Sequence, residues 1–182
     1  MTKANQQRCL VAGLILLAVA VDQLVKLWVH SHMYLGEARE LTSWFWICYV
    51  ENNGMAFGIE WLPKPVLTVF RLIMAGVLAW YVDYMVRKTE KANTGYLCMV
   101  ALVIAGAIGN IIDCTLYGVI WNYAPVLYGK VIDMLYFPLI HDQAGNVLFF
   151  RPVFNVADSY ITCAVIAVIL FFRKELDSSF KK

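Results

Sequence analysis

Asp133, closing the segment GKVID, and Asp158, closing FNVAD, are the residues whose type and setting could carry chemistry. Each carboxylate lies at the edge of an apolar segment, where an ionised group is costly unless it has a task or a partner. The stretch between them, MLYFPLIHDQAGNVLFFRPV, is strongly aromatic. Two carboxylates held close cannot readily both ionise, so they share a proton and can serve as acid and base for hydrolysis. Other hydrolytic signatures are missing from the sequence: no HExxH, no Cys/His cluster at ligand spacing, no Gly-x-Ser-x-Gly elbow and no P-loop. His30, His32 and His141 are dispersed. The expected site holds no metal and uses no cofactor.

Further polar residues gather near the same ends of apolar runs. AGAIGNIIDC sets Asn110 and Asp113 three apart, on one helical face, with Asp113 near a helix C-terminus, where the macrodipole disfavours an anion. The plainer alternative is a packing helix whose Gly106 and Gly109 permit close approach. FNVADS puts Asn155 and Asp158 on one face at a helix start, where Asp158 taken alone is as well explained as a cap, favoured by roughly 0.3 to 1 kcal/mol. The convergence of Asp113, Asp133 and Asp158 at one outer depth favours a site. Asp22 and Lys26 read as an i,i+4 pair that neutralises both charges at the interface. Arg71 and Asp83 read as snorkelling charges near the ends of their run.

The elements that must position these residues follow from composition. Of 182 residues 61% are hydrophobic and only 15% charged, with mean hydropathy +0.64, which indicates an integral membrane protein. Four runs approach the roughly 20 apolar residues of a spanning helix: residues 9–29, 66–86, 96–112 and 156–172. Lys3 and Arg8, then Arg87, Lys88 and Lys91, then Arg173, Lys174, Lys181 and Lys182 mark one side as cytoplasmic, so both termini are expected there. The segments 30–65 and 114–155 are then extracytoplasmic. A cleaved signal peptide is the competing reading of the first run, which is longer than a usual apolar signal core and lacks a convincing small-x-small site. The net charge of +2 offers no basic patch for nucleic acid. Five cysteines, three within spans, imply no obligatory disulfide, although Cys48 and Cys114 could meet outside.

The chain reads as one domain, residues 1–182, with no internal repeat of the kind that builds inverted-repeat transporters. SWFWICYV, followed by the turn signal NNG, predicts a strand of a small sheet at the membrane interface, where Trp44, Trp46, Tyr49 and Trp61 favour the headgroup layer. The second outer segment is equally aromatic, and both should roof whatever the spans hold.

These residues resemble the bacterial lipoprotein signal peptidases (signal peptidase II) across nearly the whole chain. The resemblance rests on DQLVK, NNGMAFG, GAIGNIID, GKVID and FNVADS, each short but together highly specific in this order and topology. It implies a catalytic dyad at Asp133 and Asp158, with Asn52, Gly54, Asn110, Asp113 and Asn155 lining the substrate pocket. It also implies an all-α membrane fold of four transmembrane helices with a small extracytoplasmic β-cradle and interfacial segments. The substrate implied is a prolipoprotein whose Cys already carries diacylglyceryl, cleaved on the N-terminal side of that Cys by a monomeric enzyme among membrane lipids of the bacterial inner membrane. One departure stands out. Family members commonly carry Arg where this chain has Cys114, and Lys130 or Arg151 is expected to supply the missing cation.

The rival readings are a proton-coupled transporter, which predicts carboxylates spread across depth, and a non-enzymatic membrane scaffold. Asn52, Asn110 and Asn155 are expected to orient substrate and dyad as neutral amides, whereas Asp22 is expected to serve packing through Lys26.

Overall fold

The computed structural model describes residues 2–53, 63–88, 93–141, 147–149 and 152–180. Helix α1, Lys3–His32, begins at Thr2, whose hydroxyl accepts from Asn5 N. At 30 residues it is about 45 Å long, well beyond a hydrocarbon core of about 30 Å. Two strands follow, β1 (Ala38–Thr42) and β2 (Phe45–Asn52), then α2 (Lys64–Lys88), with Pro65 in its first turn where a missing N–H costs nothing. Helix α3, Thr94–Ile112, is capped by Asn93, whose side chain accepts from Gly95 N and Tyr96 N.

The third span departs from expectation at its outer end. Instead of stopping at Ile112, the helix continues through a π turn, Asp113–Tyr117, into the single turn α4, Gly118–Ile120. Asp113 therefore sits inside a continuous helical run, and its charge is met by a neighbour described below rather than by a solvated helix end. The outer segment then supplies β3 (Val131–Tyr136) and a small hairpin of β4 (Ile140–His141) and β5 (Val147–Phe149). Helix α5, Val156–Phe171, and the short α6, Arg173–Phe180, complete the chain.

Among the described residues three helical runs, Lys3–His32, Lys64–Arg87 and Thr94–Ile120, are long and apolar enough to cross a membrane, while α5 is apolar but only 16 residues long. The third run is the hub: 61% of its apolar window is buried, against 22% and 17% for the other two, whose outward faces carry exposed Leu16, Leu17, Phe70 and Ile73. Apolar faces of that extent suit lipid, not water. At the α1, α2 and α3 contact, Val11, Val82, Val86, Leu97, Val100, Ala101 and Ile104 form the core. Gly106 lets α3 close on α5, because a methyl there would strike Ala157 O and Ile161.

The predicted strand is observed as β2, the centre of an antiparallel sheet ordered β1-β2-β3. Beneath it Val29, Met33, Tyr49, Tyr117, Ile132 and Met134 form a second core that seats the sheet on the outer ends of α1 and the π turn. His30 stacks on Trp121 at 3.7 Å and pairs with the Tyr49 hydroxyl at 2.6 Å, fixing that seat.

Candidate active site

Backbone pairing brings the two aspartate motifs together. β3 pairs with β2 so that Val50 faces Asp133 and Asn52 faces Val131. On the other side of β3, Phe154 bridges to Leu135 through two backbone hydrogen bonds, Leu135 N to Phe154 O at 2.7 Å and Phe154 N to Leu135 O at 3.0 Å. The chain thus delivers Asn155 and the start of α5 alongside Asp133. Asn155, rather than Asp158, is the N-cap of α5, its side-chain oxygen accepting from Asp158 N at 2.9 Å. That arrangement leaves the Asp158 carboxylate, in the first turn, free of the capping task.

Three asparagines connect the carboxylates. Asn52 Nδ2 donates to Asp133 Oδ2 at 2.9 Å, and Asn155 Nδ2 donates to Asp133 Oδ1 at 2.7 Å. Asn110 Nδ2 donates to Asp158 Oδ1 at 2.8 Å, while its oxygen accepts from Asn155 at 3.2 Å. Asp133 is buried and Asp158 half-buried, so one carboxyl is sheltered and the other open to an arriving molecule. Burial is the main force on Asp133 and, with the charge of Asp158 in support, raises its pKa to about 7 against the opposing amide donation from Asn52 and Asn155. An apolar, sheltered carboxyl beside a second carboxylate is a proton donor poised near neutral pH.

Behind the asparagines lies a buried ion cluster that the local spacing showed only in part. Lys26 Nζ pairs with Asp22 at 2.8 Å, as the i,i+4 spacing predicts, but also with Asp113 at 2.7 Å and with Asn110 Oδ1 at 3.1 Å. All four residues are buried, so the pair belongs to a larger enclosed cluster. Asp22 Oδ1 accepts from Ala157 N in the first turn of α5, and Gln23 Nε2 donates to Asp22, Asp113 and Gly109 O. The Tyr117 hydroxyl completes the shell by donating to Gln23 Oε1. Lys26, an acceptor-free ammonium, must take the oxygen of Asn110, which turns the Asn110 amide nitrogen toward Asp158. Gly109 is required by the same packing: a Cβ there would lie 2.5 Å from Asp22 Oδ2.

The pocket residues expected from the sequence are thus distributed. Asn52, Asn110 and Asn155 touch the carboxylates, whereas Asp113 lies one step back, on Lys26. Gly54 falls outside the described residues, as does Arg151. Lys130 pairs with Glu51 at 2.8 Å. Among the described residues Arg71 of α2 approaches Cys114, its Nη1 3.6 Å from the thiol, a contact at odds with a merely snorkelling role. Lys26, Gln23 and Arg71 are the residues that motif reading under-used. DQLVK carried the signal for the first two, since Asp22, Gln23 and Lys26 fall within one turn. Nothing local marks Arg71.

Among the described residues no three His, Cys, Asp or Glu side chains gather so as to hold a metal ion. The five cysteines are free thiols.

Comparison with known proteins matches this geometry to a family. A family model described as signal peptidase (SPase) II matches residues 14–173. The lipoprotein signal peptidase of Porphyromonas gingivalis is 39% identical over 188 residues, covering 90% of this chain and 83% of the relative. That of Amoebophilus asiaticus is 35% identical over 190 residues, covering 93% and 80%. A solved bacterial membrane enzyme, 26% identical, superposes with a TM-score of 0.67 over 94% of this chain and 92% of its own. With a family model spanning most of its length and relatives of this identity, the chain belongs to the signal peptidase II family, the peptidases that remove signal peptides from prolipoproteins.

Proposed function

We propose that Asp133 and Asp158 form the catalytic dyad of this peptidase and that Asp133 is its protonated member. The observation that carries this is the asymmetry of the pair: Asp133 is sheltered and raised to about 7, while Asp158 is half-buried at the N-terminus of α5, where the helix dipole favours an anion. Ionised Asp158 takes a proton from water as the water oxygen bonds to the scissile carbonyl carbon. Asp133 donates its proton to the carbonyl oxygen. Collapse of the tetrahedral adduct breaks the C–N bond, the leaving amine takes the proton held by Asp158, and Asp133 recovers its own from the adduct's hydroxyl. Asn52 and Asn155 keep Asp133 fixed, and Asn110 keeps Asp158 fixed, without adding charge.

The substrate in this reading is a prolipoprotein carrying diacylglyceryl on its Cys, cut N-terminal to that residue. A site at the outer end of the helices lets the acyl chains stay in lipid while the peptide lies under the sheet. The exposed apolar faces of α1, α2 and α5 support four spans, and the Lys and Arg at the opposite ends of the helices favour both termini in the cytoplasm of a bacterial inner-membrane protein. In this reading residues 1–182 act as one domain and one monomer.

The test is cleavage of a diacylglyceryl-modified precursor by purified protein. Asp133→Asn and Asp158→Asn are each expected to lower kcat by at least about a thousandfold, the scale for loss of an essential acid or base. Normal cleavage by either variant, with its fold intact, would end the dyad assignment.

A further inference from the structure

Tyr117 is a buried side chain that the dyad chemistry does not use. It closes the π turn that Asp113 opens, and both residues reach Gln23 of α1. Gln23 Nε2 donates to Asp113 Oδ1 at 2.9 Å, and the Tyr117 hydroxyl donates to Gln23 Oε1 at 2.9 Å. Turns of this kind recur at functional sites. The Tyr117 ring is fixed from its other side, its centroid 4.2 Å from that of Trp121, which stacks in turn on His30 of α1. The hydroxyl is thereby held on Gln23.

The Gln23 amide has one sense that satisfies its surroundings. Its nitrogen sits among three oxygens: Asp113 Oδ1, Asp22 Oδ2 at 3.1 Å and Gly109 O at 3.2 Å. Turned over, the amide would set its own oxygen against three acceptors. In the observed sense that oxygen faces the Tyr117 hydroxyl, which can donate to it.

Lys26 connects this amide to the dyad. Its ammonium has three N–H donors and three partners, Asp22 at 2.8 Å, Asp113 Oδ2 at 2.7 Å and Asn110 Oδ1 at 3.1 Å. The other oxygen of Asp113 is met by Gln23. Without that donor, Lys26 could serve Asp113 Oδ1 only by leaving Asn110, the longest of its three contacts. Asn110 would then lose the cation that turns its amide nitrogen toward Asp158 Oδ1, 2.8 Å away.

We propose that Tyr117 is a positioning residue for the dyad: by donating to Gln23, its hydroxyl keeps the Gln23 amide on Asp113, which leaves the third donor of Lys26 for Asn110 and so fixes the amide that holds Asp158. The inference rests on the dyad assignment above and gives Tyr117 no contact with substrate.

The experiment uses the full-length protein and a diacylglyceryl-modified precursor. Tyr117→Phe keeps the ring on Trp121 and removes only the hydroxyl. It is expected to lower kcat about tenfold with KM within about twofold, the scale for one hydrogen bond felt in the chemical step rather than in binding. Gln23→Met keeps the length of the side chain and removes both ends of the amide, and kcat is expected to fall at least as far. Adding Tyr117→Phe to Gln23→Met is expected to cost nothing more, because the hydroxyl acts through Gln23. A readout independent of cleavage is the NMR signal pair of the Asn110 side-chain amide in protein carrying isotope-labelled asparagine, identified by its loss in Asn110→Ser. That pair is expected to move in Tyr117→Phe. Moved signals together with normal cleavage by Asp158→Asn would end the dyad reading and leave the relay from Tyr117 to Asn110 standing. An unchanged kcat in folded Tyr117→Phe, a loss confined to KM, a full further loss on adding Tyr117→Phe to Gln23→Met, or unmoved Asn110 signals overturns the proposal. Should Tyr117→Phe not fold, Gln23→Met alone decides: a fall in kcat at constant KM with moved Asn110 signals supports the relay, and an unchanged kcat overturns it.

Discussion

Two clusters of acidic and basic side chains sit about 27 Å apart along α1, and they do different things. At the inner end Asp83 of α2 is shared by Arg8, at 3.0 Å, and Arg87, with side chains 36%, 41% and 70% exposed. At the outer end Lys26 is shared by Asp22 and Asp113, with side chains no more than 1% exposed. Water and salt screen the first cluster, so it holds α1 to α2 weakly. Nothing screens the second, and each of its members must be satisfied by the others. The buried cluster can therefore dictate geometry: Lys26 sets the Asn110 amide, and Asp22 holds the first turn of α5, on which Asp158 stands. The same pairing rule yields a clasp in one place and a jig in the other.

The sharpest way to break that contrast is Lys26→Met, which strands two buried carboxylates. It should cost about 3 to 5 kcal/mol of stability, read as a fall in the unfolding midpoint in detergent, and cleavage should drop with it. A variant that remained as stable as wild type would mean that the cluster is not what sets the frame. Gly109→Ala comes next, because its methyl must displace Asp22 from Ala157 N. Overpacking of this kind costs about 1 to 3 kcal/mol, and the loss of kcat should exceed what the stability loss alone explains. Asp22→Asn keeps the volume and leaves Lys26 its second carboxylate. We expect a milder destabilisation together with reduced turnover, since the sequence-based assignment of Asp22 to packing alone omits its bond to α5. A variant with lowered stability and full turnover would restore that simpler assignment.

Asp133 sharpens the comparison through pH. Its folded pKa, about 7, lies above the 3.8 of a free carboxyl, so the folded state binds the proton more tightly than the unfolded one. The contribution to stability is fully present below pH 3.8 and is lost as pH rises through about 7. The unfolding midpoint of wild type should accordingly fall across that window by more than that of Asp133→Asn. Parallel curves would show that the site does not favour the protonated carboxyl. The smallest effect belongs to Asp83→Asn, whose shift in unfolding midpoint should vanish in high salt and whose cleavage rate should match wild type.

Much of this is legible in the sequence. The aromatic run SWFWICYV became β2, and the apolar runs became the helices at nearly their expected bounds, because hydrophobic periodicity and strand propensity act within one element. The bounds failed where a neighbour intervened. Asp113 marked an apparent helix end, yet the helix passes through it as a π turn because Lys26 supplies the charge that a solvated end would otherwise provide. Asp158 read as a possible cap, yet Asn155, three residues earlier, caps, with the bridge between Phe154 and Leu135 fixing the chain just ahead of it.

The sequence by itself determined the membrane class and the family, both of which reside in composition and in short ordered motifs. Only the tertiary structure decided which partner each charge keeps. Lys26 has one partner by spacing and three in the fold, and among the described residues a guanidinium reaches Cys114 from Arg71 of α2, which no local spacing marks. The reason is that rotation and depth of one helix against another are set by close contacts such as Gly106 on Ala157 and Gly109 on Asp22, and these are sums over distant parts of the chain that no local periodicity contains.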